Sequence, residues 1–394
     1  MDHFKQLISP HNGAPLRVAG PPLWGSKGAY LLTDGDLLWP VVDGIAYLRP
    51  RHELREQVVS LLWMDNIAEA RRLLLSDQDR FSPTAPPGAA ALDELLDSNA
   101  THTLRDAMRL LNYGPVADYF AYRWCTPTFL SGLVLLGKTV RADRPVVEFA
   151  CGIGHFLRTL EDQGLQTTGI DIVFSKLWLA RRYLDVKGLL VCGDIEAGPV
   201  LASGPARTVF CHDAFYFFEQ KSAALKNMRT VAGGGNLAVG HVHTQLDVHE
   251  AGFSTSLDAY RLLTDSKLCD DIDAARQWYG AEAPLADATK TSPAIGWIEG
   301  ETNAQRIDWH SERDALRLNP LIQQTTLRYP SDDWCREYEA DCAELQDFHL
   351  LRLTSDDPLV DGLRSGMISV AQLRPTDRHA LYRKRILIDL PQNW

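Results

Sequence analysis

The chain has 394 residues, with Lys+Arg 40 against Asp+Glu 51 and a formal net charge of −11 at pH 7. At roughly 150 residues per domain this length predicts two or three domains, and 45% apolar with 23% charged residues excludes a chain dominated by disorder, collagen-like repeats or coiled coil. The negative balance offers no broad positive field to phosphate backbones or anionic lipid, which disfavours nucleic acid and membrane surfaces as partners.

The longest strongly apolar stretch, Phe129 to Gly137, is about half of what a bilayer crossing needs, and Met1-Asp2-His3-Phe4-Lys5 has no signal-peptide pattern. We expect a soluble, cytoplasmic protein. Seven cysteines, at 125, 151, 192, 211, 269, 335 and 342, include no Cys-x-x-Cys pair, and an odd count in a long chain is expected to be reduced and buried.

Residues 1–50 read as a small β-rich unit. Pro and Gly recur, and Asp34-Gly35 is a turn signal before Leu37-Leu38-Trp39. The stretch Leu7-Ile8-Ser9-Pro10-His11-Asn12-Gly13-Ala14-Pro15-Leu16, followed by Leu37 to Ile45, resembles the zinc-ribbon-derived domain of activators of tRNA and protein methyltransferases. Where that family often has a Cys-Pro-x-Cys knuckle, this chain has Ser9 and Asn12, poor zinc ligands. The resemblance implies that fold with its metal lost.

From 51 to 140 the periodicity is helical: Leu54, Val58, Leu61 and Leu62 recur on one helix face. A Pro/Ala/Gly break at Ser82 to Ala90 predicts a loop. The aromatic stretch Tyr119 to Trp124 suits either a core or a pocket wall.

From 141 to 255 apolar strands alternate with Gly-terminated helices. This predicts a parallel sheet with helices on both faces. Strands are expected at Val146 to Cys151, Thr167 to Ile172, Leu189 to Cys192, Thr208 to Cys211 and Asn236 to His243. Helices are expected at His155 to Gln163, Ser175 to Leu184 and Ser222 to Val231. Residues 256–394 read as a mixed α/β region that completes the sheet or the pocket, with a helical run at Asp333 to Leu345 and apolar segments at Leu316 to Ile322 and Ile386 to Leu390. The fold class is therefore α/β: a Rossmann-like sheet, a small β-rich N-terminal domain and helical or mixed flanks.

The strongest chemical signal is Val146-Val147-Glu148-Phe149-Ala150-Cys151-Gly152-Ile153-Gly154-His155-Phe156, a strand running through small residues into a helix. Backbone can approach a ligand's polar groups only where side chains are minimal, so Ala150, Gly152 and Gly154 mark a cofactor turn. A dinucleotide loop requires Gly-x-Gly-x-x-Gly. Counting from Gly152, the third position is Leu157.

The stretch instead resembles the first motif of class I S-adenosylmethionine-dependent methyltransferases, an acid followed by small-x-Gly-x-Gly, with Ala150 where glycine is usual. The resemblance implies S-adenosyl-L-methionine as cofactor and a turn built from Glu148, Ala150, Cys151, Gly152 and Gly154. It implies that Asp171, followed by Ile172, accepts the ribose hydroxyls, and that Asp194 receives the adenine amino group while Ile195 packs on the ring. His212 and Asp213, after the fourth strand, complete the expected contacts. Each acid also has a structural alternative, as an edge-of-core acid, a helix cap or a turn residue.

Methyl transfer is an in-line displacement, so the protein positions the nucleophile and, for a hydroxyl, removes its proton. His212, His241 and His243 are the candidate catalytic residues; the last two, two apart on a strand, are expected to face one crevice. Structural hydrogen bonding is the alternative. A metal held with His249 or Glu250 is a further one, but the sequence fixes no third ligand, and no metal is assigned.

The acidity, the histidines and the missing Asn-Pro-Pro-Tyr motif together predict a methyltransferase acting on a small molecule, a specialised metabolite or sugar-derived acceptor, with oxygen preferred over nitrogen. Two alternatives stand beside it. One is an RNA or protein methyltransferase docking through its N-terminal domain, with Arg378, Arg383, Lys384 and Arg385 as its only basic run. The other is a non-catalytic scaffold.

Overall fold

Near-continuous apolar runs, the mark of strands covered on both faces, form the centre of the molecule. They are β5 (Val146–Phe149), β6 (Thr167–Asp171), β7 (Leu189–Cys192), β8 (Thr208–His212) and β9 (Asn236–His243), every residue of which is buried. Ahead of them come β1 (Arg17–Ala19), β2 (Tyr30–Thr33), β3 (Leu38–Val42) and β4 (Ile45–Tyr47), and after them β10 (Cys269–Asp270) and β11 (Ala294–Glu299). The computed structural model describes residues 2–19, 28–246, 251–278, 285–303, 309, 316–323, 326–327 and 358–394.

These strands form one sheet in the order β1-β2-β3-β4-β7-β6-β5-β8-β9-β11-β10. The run from β4 to β9 is parallel, and β11 returns antiparallel to β9. Strand order reverses between β5 and β8, and ligands of open parallel sheets bind outside the strand C-termini at such a switch point.

The β-rich N-terminal unit joins this sheet directly. β4 pairs in parallel with β7, Ile45 against Leu190 and Tyr47 against Cys192. In this unit Ser9 Oγ donates to Asp34, and Asn12 Nδ2 donates to Asp36.

The helices are α1 (His52–Trp63), α2 (Ile67–Leu75), α3 (Ala89–Leu96), α4 (Leu104–Leu110), α5 (Val116–Tyr122), α6 (Pro127–Thr139), α7 (His155–Asp162), α8 (Phe174–Tyr183), α9 (Lys221–Ala232), α10 (Leu257–Arg261) and α11 (Asp271–Trp278). Apolar residues of α6, α7, α8 and α11 share a core on one face of the sheet, and those of α9 and α10 share the core on the other. α6 is buried at twelve positions from Pro127 to Thr139, which explains why its sequence is apolar all round.

Of the C-terminal apolar segments, neither enters the main sheet. β12 (Leu316–Leu318) and the later strand Leu387–Asp389 pair only with each other, and Arg158 of α7 anchors this ribbon through Asp389 at 2.8 Å. The expected helix at Asp333 to Leu345 lies outside the described residues. Within the basic run, Arg385 is buried and donates to Trp124 O, and Arg383 lies 4.1 Å over the Trp278 ring and donates to Trp278 O, while Lys384 is exposed and Arg378 half-buried. Cys125, Cys151, Cys192, Cys211 and Cys269 are free and buried, and among the described residues no helix is long and apolar enough to cross a membrane.

Candidate active site

The turn after β5 runs through the left-handed region at Ala150 (φ 53°), Gly152 (φ 54°) and Gly154 (φ 83°). Gly152 is under a double constraint, because a Cβ there would also lie 3.0 Å from Phe120 Cε1. Gly154 begins α7 and packs toward Val186 and Ala180. It is absent from the cavity wall, so its place in the motif serves packing and corrects its expected cofactor contact.

Above these strand ends lies a cavity of about 890 Å³, within the range of small-molecule sites. Glu148, Ala150, Cys151 and Gly152 line one side of it. Asp171 with Ile172, and Asp194 with Ile195, line the next strand ends. Residues 78–84, Tyr113, Tyr119 and Phe120 face them from the helical segment.

Glu148 Oε2 is buried without a hydrogen-bond partner among the described residues. Burial pushes this carboxyl well above its ordinary range, against the pull of the Arg123 guanidinium. Asp171 accepts Gly152 N–H at 2.8 Å and Val173 N–H at 2.9 Å, one on each oxygen, so each keeps a lone pair for a ligand hydroxyl. Asp194 accepts Glu196 N–H at 2.9 Å. The structural alternatives for these acids are thus present, and both leave acceptor capacity facing the cavity. A partnerless carboxylate oxygen, a side-chain-free turn and two further acids on one wall fit S-adenosylmethionine, a ligand with an ammonium, a ribose diol and an adenine amino group.

The acceptor-side residues come together through a break in the sheet. Ile295 pairs with Val242 but Trp297 with Val239, so Gly240 and His241 together oppose Gly296, a β-bulge. Val239 and Val242 therefore share one core although they are three apart, while Ala238 lies in the other. His241 sits at φ 47°. Beyond the bulge the alternation holds: Val242 faces the core while His241 and His243 both turn toward Asp213, with Nε2 atoms 3.9 and 3.6 Å from Asp213 Oδ1.

Asp213 lines the cavity; His241 and His243 stand behind it, which corrects the expectation that they face the crevice themselves. Instead of turning to the glycine loop, the Asp213 carboxylate is taken by Arg123 Nη1 at 2.6 Å, Tyr119 OH at 2.7 Å and Tyr216 OH at 3.2 Å. Its pKa stays well below the ordinary range, the Arg123 guanidinium outweighing burial.

His212 lines the cavity but is not built as a base. Arg123 Nη2 donates to its Nδ1 at 3.1 Å, which leaves Nε2–H to donate to Ser131 Oγ at 3.2 Å. Burial and then the Arg123 charge push its pKa down to about 3. This corrects its assignment as a proton acceptor. His241 is held differently: Nδ1–H donates to Asp271 Oδ2 at 2.7 Å, and its backbone N–H donates to Asp271 Oδ1 at 3.2 Å. Its pKa is raised, with Asp271 and Asp213 overcoming a burial cost that acts the other way.

Arg123, Tyr119, Ser131, Tyr216 and Asp271 are functional neighbours that the sequence reading did not assign. The aromatic stretch Tyr119 to Trp124 contained two of them, and it divides its roles: Tyr119, Phe120 and Arg123 line the cavity, whereas Ala121 and Trp124 are core. Asp271 lies 30 residues from His241, in the first turn of α11, where an acid reads as an ordinary helix-start residue.

Residues 147–239 match the family model described as a methyltransferase domain. Among solved structures, the chain is similar to one in the complex between the Haloferax volcanii Trm112 methyltransferase activator and a methyltransferase, at 18% identity and TM-score 0.36, covering 50% of this chain and 98% of that one. It is similar to a TehB-like S-adenosylmethionine-dependent methyltransferase of Corynebacterium glutamicum, at 14% identity and TM-score 0.36, covering 48% and 100%. A third is phosphoethanolamine N-methyltransferase 2 of Haemonchus contortus, at 14% identity and TM-score 0.34, covering 50% and 59%. No curated protein matches the chain.

The sheet order, the glycine turn and the matched domain together define a class I S-adenosylmethionine-dependent methyltransferase domain. The protein is a methyltransferase that uses S-adenosylmethionine as its cofactor.

Proposed function

We propose that the acceptor is a small molecule and that the methylated atom is a hydroxyl oxygen. The cofactor supplies an electrophilic methyl; what the chain adds is a place for the acceptor and a destination for its proton. As the oxygen–methyl bond forms and the methyl–sulfur bond breaks, the hydroxyl proton must leave. The Asp213–His241–His243 group, backed by Asp271, is the polar cluster beside the cavity that can receive it.

The observation that carries this reading is the Asp271–His241 pair. A buried carboxylate fixes the imidazole tautomer and orientation, an arrangement that a purely structural histidine does not require and a proton-handling one does. The cavity's lining by residues 78–84 and by Tyr113 and Tyr119 favours a ligand that is enclosed, and the net charge of −11 argues against a polyanion.

The test supplies carbon-13 methyl-labelled cofactor with either an ultrafiltrate or the macromolecular fraction of a cell extract. We expect S-adenosylhomocysteine release with the ultrafiltrate, a product methyl with the carbon shift of an ether, and at least a hundredfold lower kcat for His241→Ala with cofactor affinity kept. Turnover with RNA or protein alone, or an N-methyl product, overturns the reading. No turnover with either fraction favours the scaffold.

A further inference from the structure

We propose that Asp213, His241 and His243 form a binding site for one divalent transition-metal cation of the Mn²⁺, Co²⁺ or Zn²⁺ type, placed to hold the acceptor oxygen. The three side chains each offer one ligand atom, and these atoms all lie within 4.8 Å of one another. The two Nε2 atoms stand 3.6 and 3.9 Å from Asp213 Oδ1. Two ligands of one such ion, each about 2.1 Å from it, lie roughly 3.0–3.5 Å apart, so Asp213 Oδ1 needs to close by a few tenths of an ångström on each imidazole, while the two imidazoles, within 4.8 Å of each other, need to close by up to roughly 1.5 Å. Two imidazoles and one carboxylate suit these borderline ions better than Mg²⁺, which prefers oxygen ligands.

Three further observations support it. The first is the outer layer: His241 gives its other ring N–H to Asp271 at 2.7 Å, the carboxylate–imidazole arrangement that fixes a metal-binding tautomer. That tautomer points the Nε2 lone pair toward the Asp213 carboxylate, two electron-rich groups that repel unless a proton or a cation lies between them. The second is division of labour on Asp213. Arg123 and Tyr119 bind Oδ2 at 2.6 and 2.7 Å, orienting it, while among the described residues Oδ1 meets the longer Tyr216 contact of 3.2 Å and the two imidazoles.

The third is charge. The side chains of Asp213 and Asp271 are nearly unexposed and, among the described residues, Arg123 is the guanidinium paired to them; with both imidazoles neutral, as ligation requires, the group keeps a net negative charge that a cation would offset. Asp213 and Tyr216 line the cavity and His241 and His243 stand behind Asp213, so an ion on Oδ1 lies between the cavity wall and the two imidazoles. A hydroxyl that reaches the ion has a lowered pKa, and, because the three side chains are then ligands, its proton goes to solvent and not to them. This role rests on the acceptor reading above; the ion site itself does not.

The test strips the purified full-length chain with a chelator and titrates it with Co²⁺, reading the visible d–d bands and bound metal by equilibrium dialysis. We expect about one equivalent bound, at least tenfold weaker binding in each of His243→Ala, His241→Ala and Asp213→Asn, and S-adenosylhomocysteine affinity kept in His243→Ala as proof of folding. No cobalt spectrum, or binding that the three variants leave unchanged, overturns the site. Ion binding without turnover of any hydroxylic acceptor would sink the acceptor reading and keep the site. Full-rate methylation by stripped, metal-free protein would overturn the ion's role at the acceptor oxygen and keep the acceptor reading.

Discussion

At the residue scale, the cofactor turn makes two claims that measurement can reach. Burial raises the Glu148 pKa well above its ordinary range, whereas a ligand ammonium docked on Oε2, which has no partner among the described residues, favours the ionised form, so cofactor binding should release a proton wherever the free carboxyl holds one. Calorimetric titration in buffers of different ionisation enthalpy is expected to show this, with affinity rising as pH rises and the linkage lost in Glu148→Gln. A buffer-independent enthalpy would remove Glu148 from the ammonium's contacts. Ala150 stands in the left-handed region at φ 53°, where a Cβ costs roughly 1 kcal/mol. Ala150→Gly should therefore stabilise the protein by up to about 0.5 kcal/mol in urea unfolding, the relief of strain being partly offset by glycine's freer unfolded chain; a loss of stability would mean that the methyl group packs usefully. Asp171→Ala should weaken cofactor binding by about 1.5–3 kcal/mol, the range for hydrogen bonds to a charged group, and unchanged affinity would sink that contact.

Elements rest on a few buried polar knots. Asp34 ties the start of the chain to the β2–β3 hairpin by accepting from Ser9 Oγ, Trp39 Nε1 and the Asp36 and Leu37 N–H groups. Although burial acts to raise it, these bonds bring its pKa down to about 2. A depressed carboxyl adds stability that is present above its unfolded value of 3.8 and lost as pH falls toward about 2. Asp34→Asn should cost about 2 kcal/mol near neutrality and flatten the stability loss between about pH 4 and 2, as followed by denaturant midpoints. An unaltered acid profile would show that Asp34 does not carry it. The five central strands and three intervening helices were legible because their periods are local: 2 for strands, 3.6 for helices. The bulge at Gly240-His241 was not, since a lone Gly in an apolar strand looks the same with or without an extra residue on its partner.

For the whole molecule, the decisive feature is that β4 adds in parallel to β7. Leu48 N–H bonds Cys192 O at 2.7 Å, and Arg49 and Arg51 both pair with Asp77 while lining the cavity. The N-terminal unit and the methyltransferase core should therefore unfold in one calorimetric transition, and deletion of residues 1–50 should abolish cofactor binding and expose β7 as an aggregating edge. A separate early transition, or a truncated chain that stays monomeric and binds cofactor, would show instead that the unit is an appendage.

By itself the sequence determined the α/β class, the order of the central strands and helices, and the acids at three strand ends. Each is written in contiguous residues whose spacing fixes where the side chain emerges. Only the tertiary structure decided that His212 links Arg123 and Ser131, that Asp213 is held by Arg123 and Tyr119, and that Asp271 holds His241. Those pairings join residues 30 to 94 positions apart, and their chemistry arises from burial, which sets the pKa values and which no single stretch of sequence encodes.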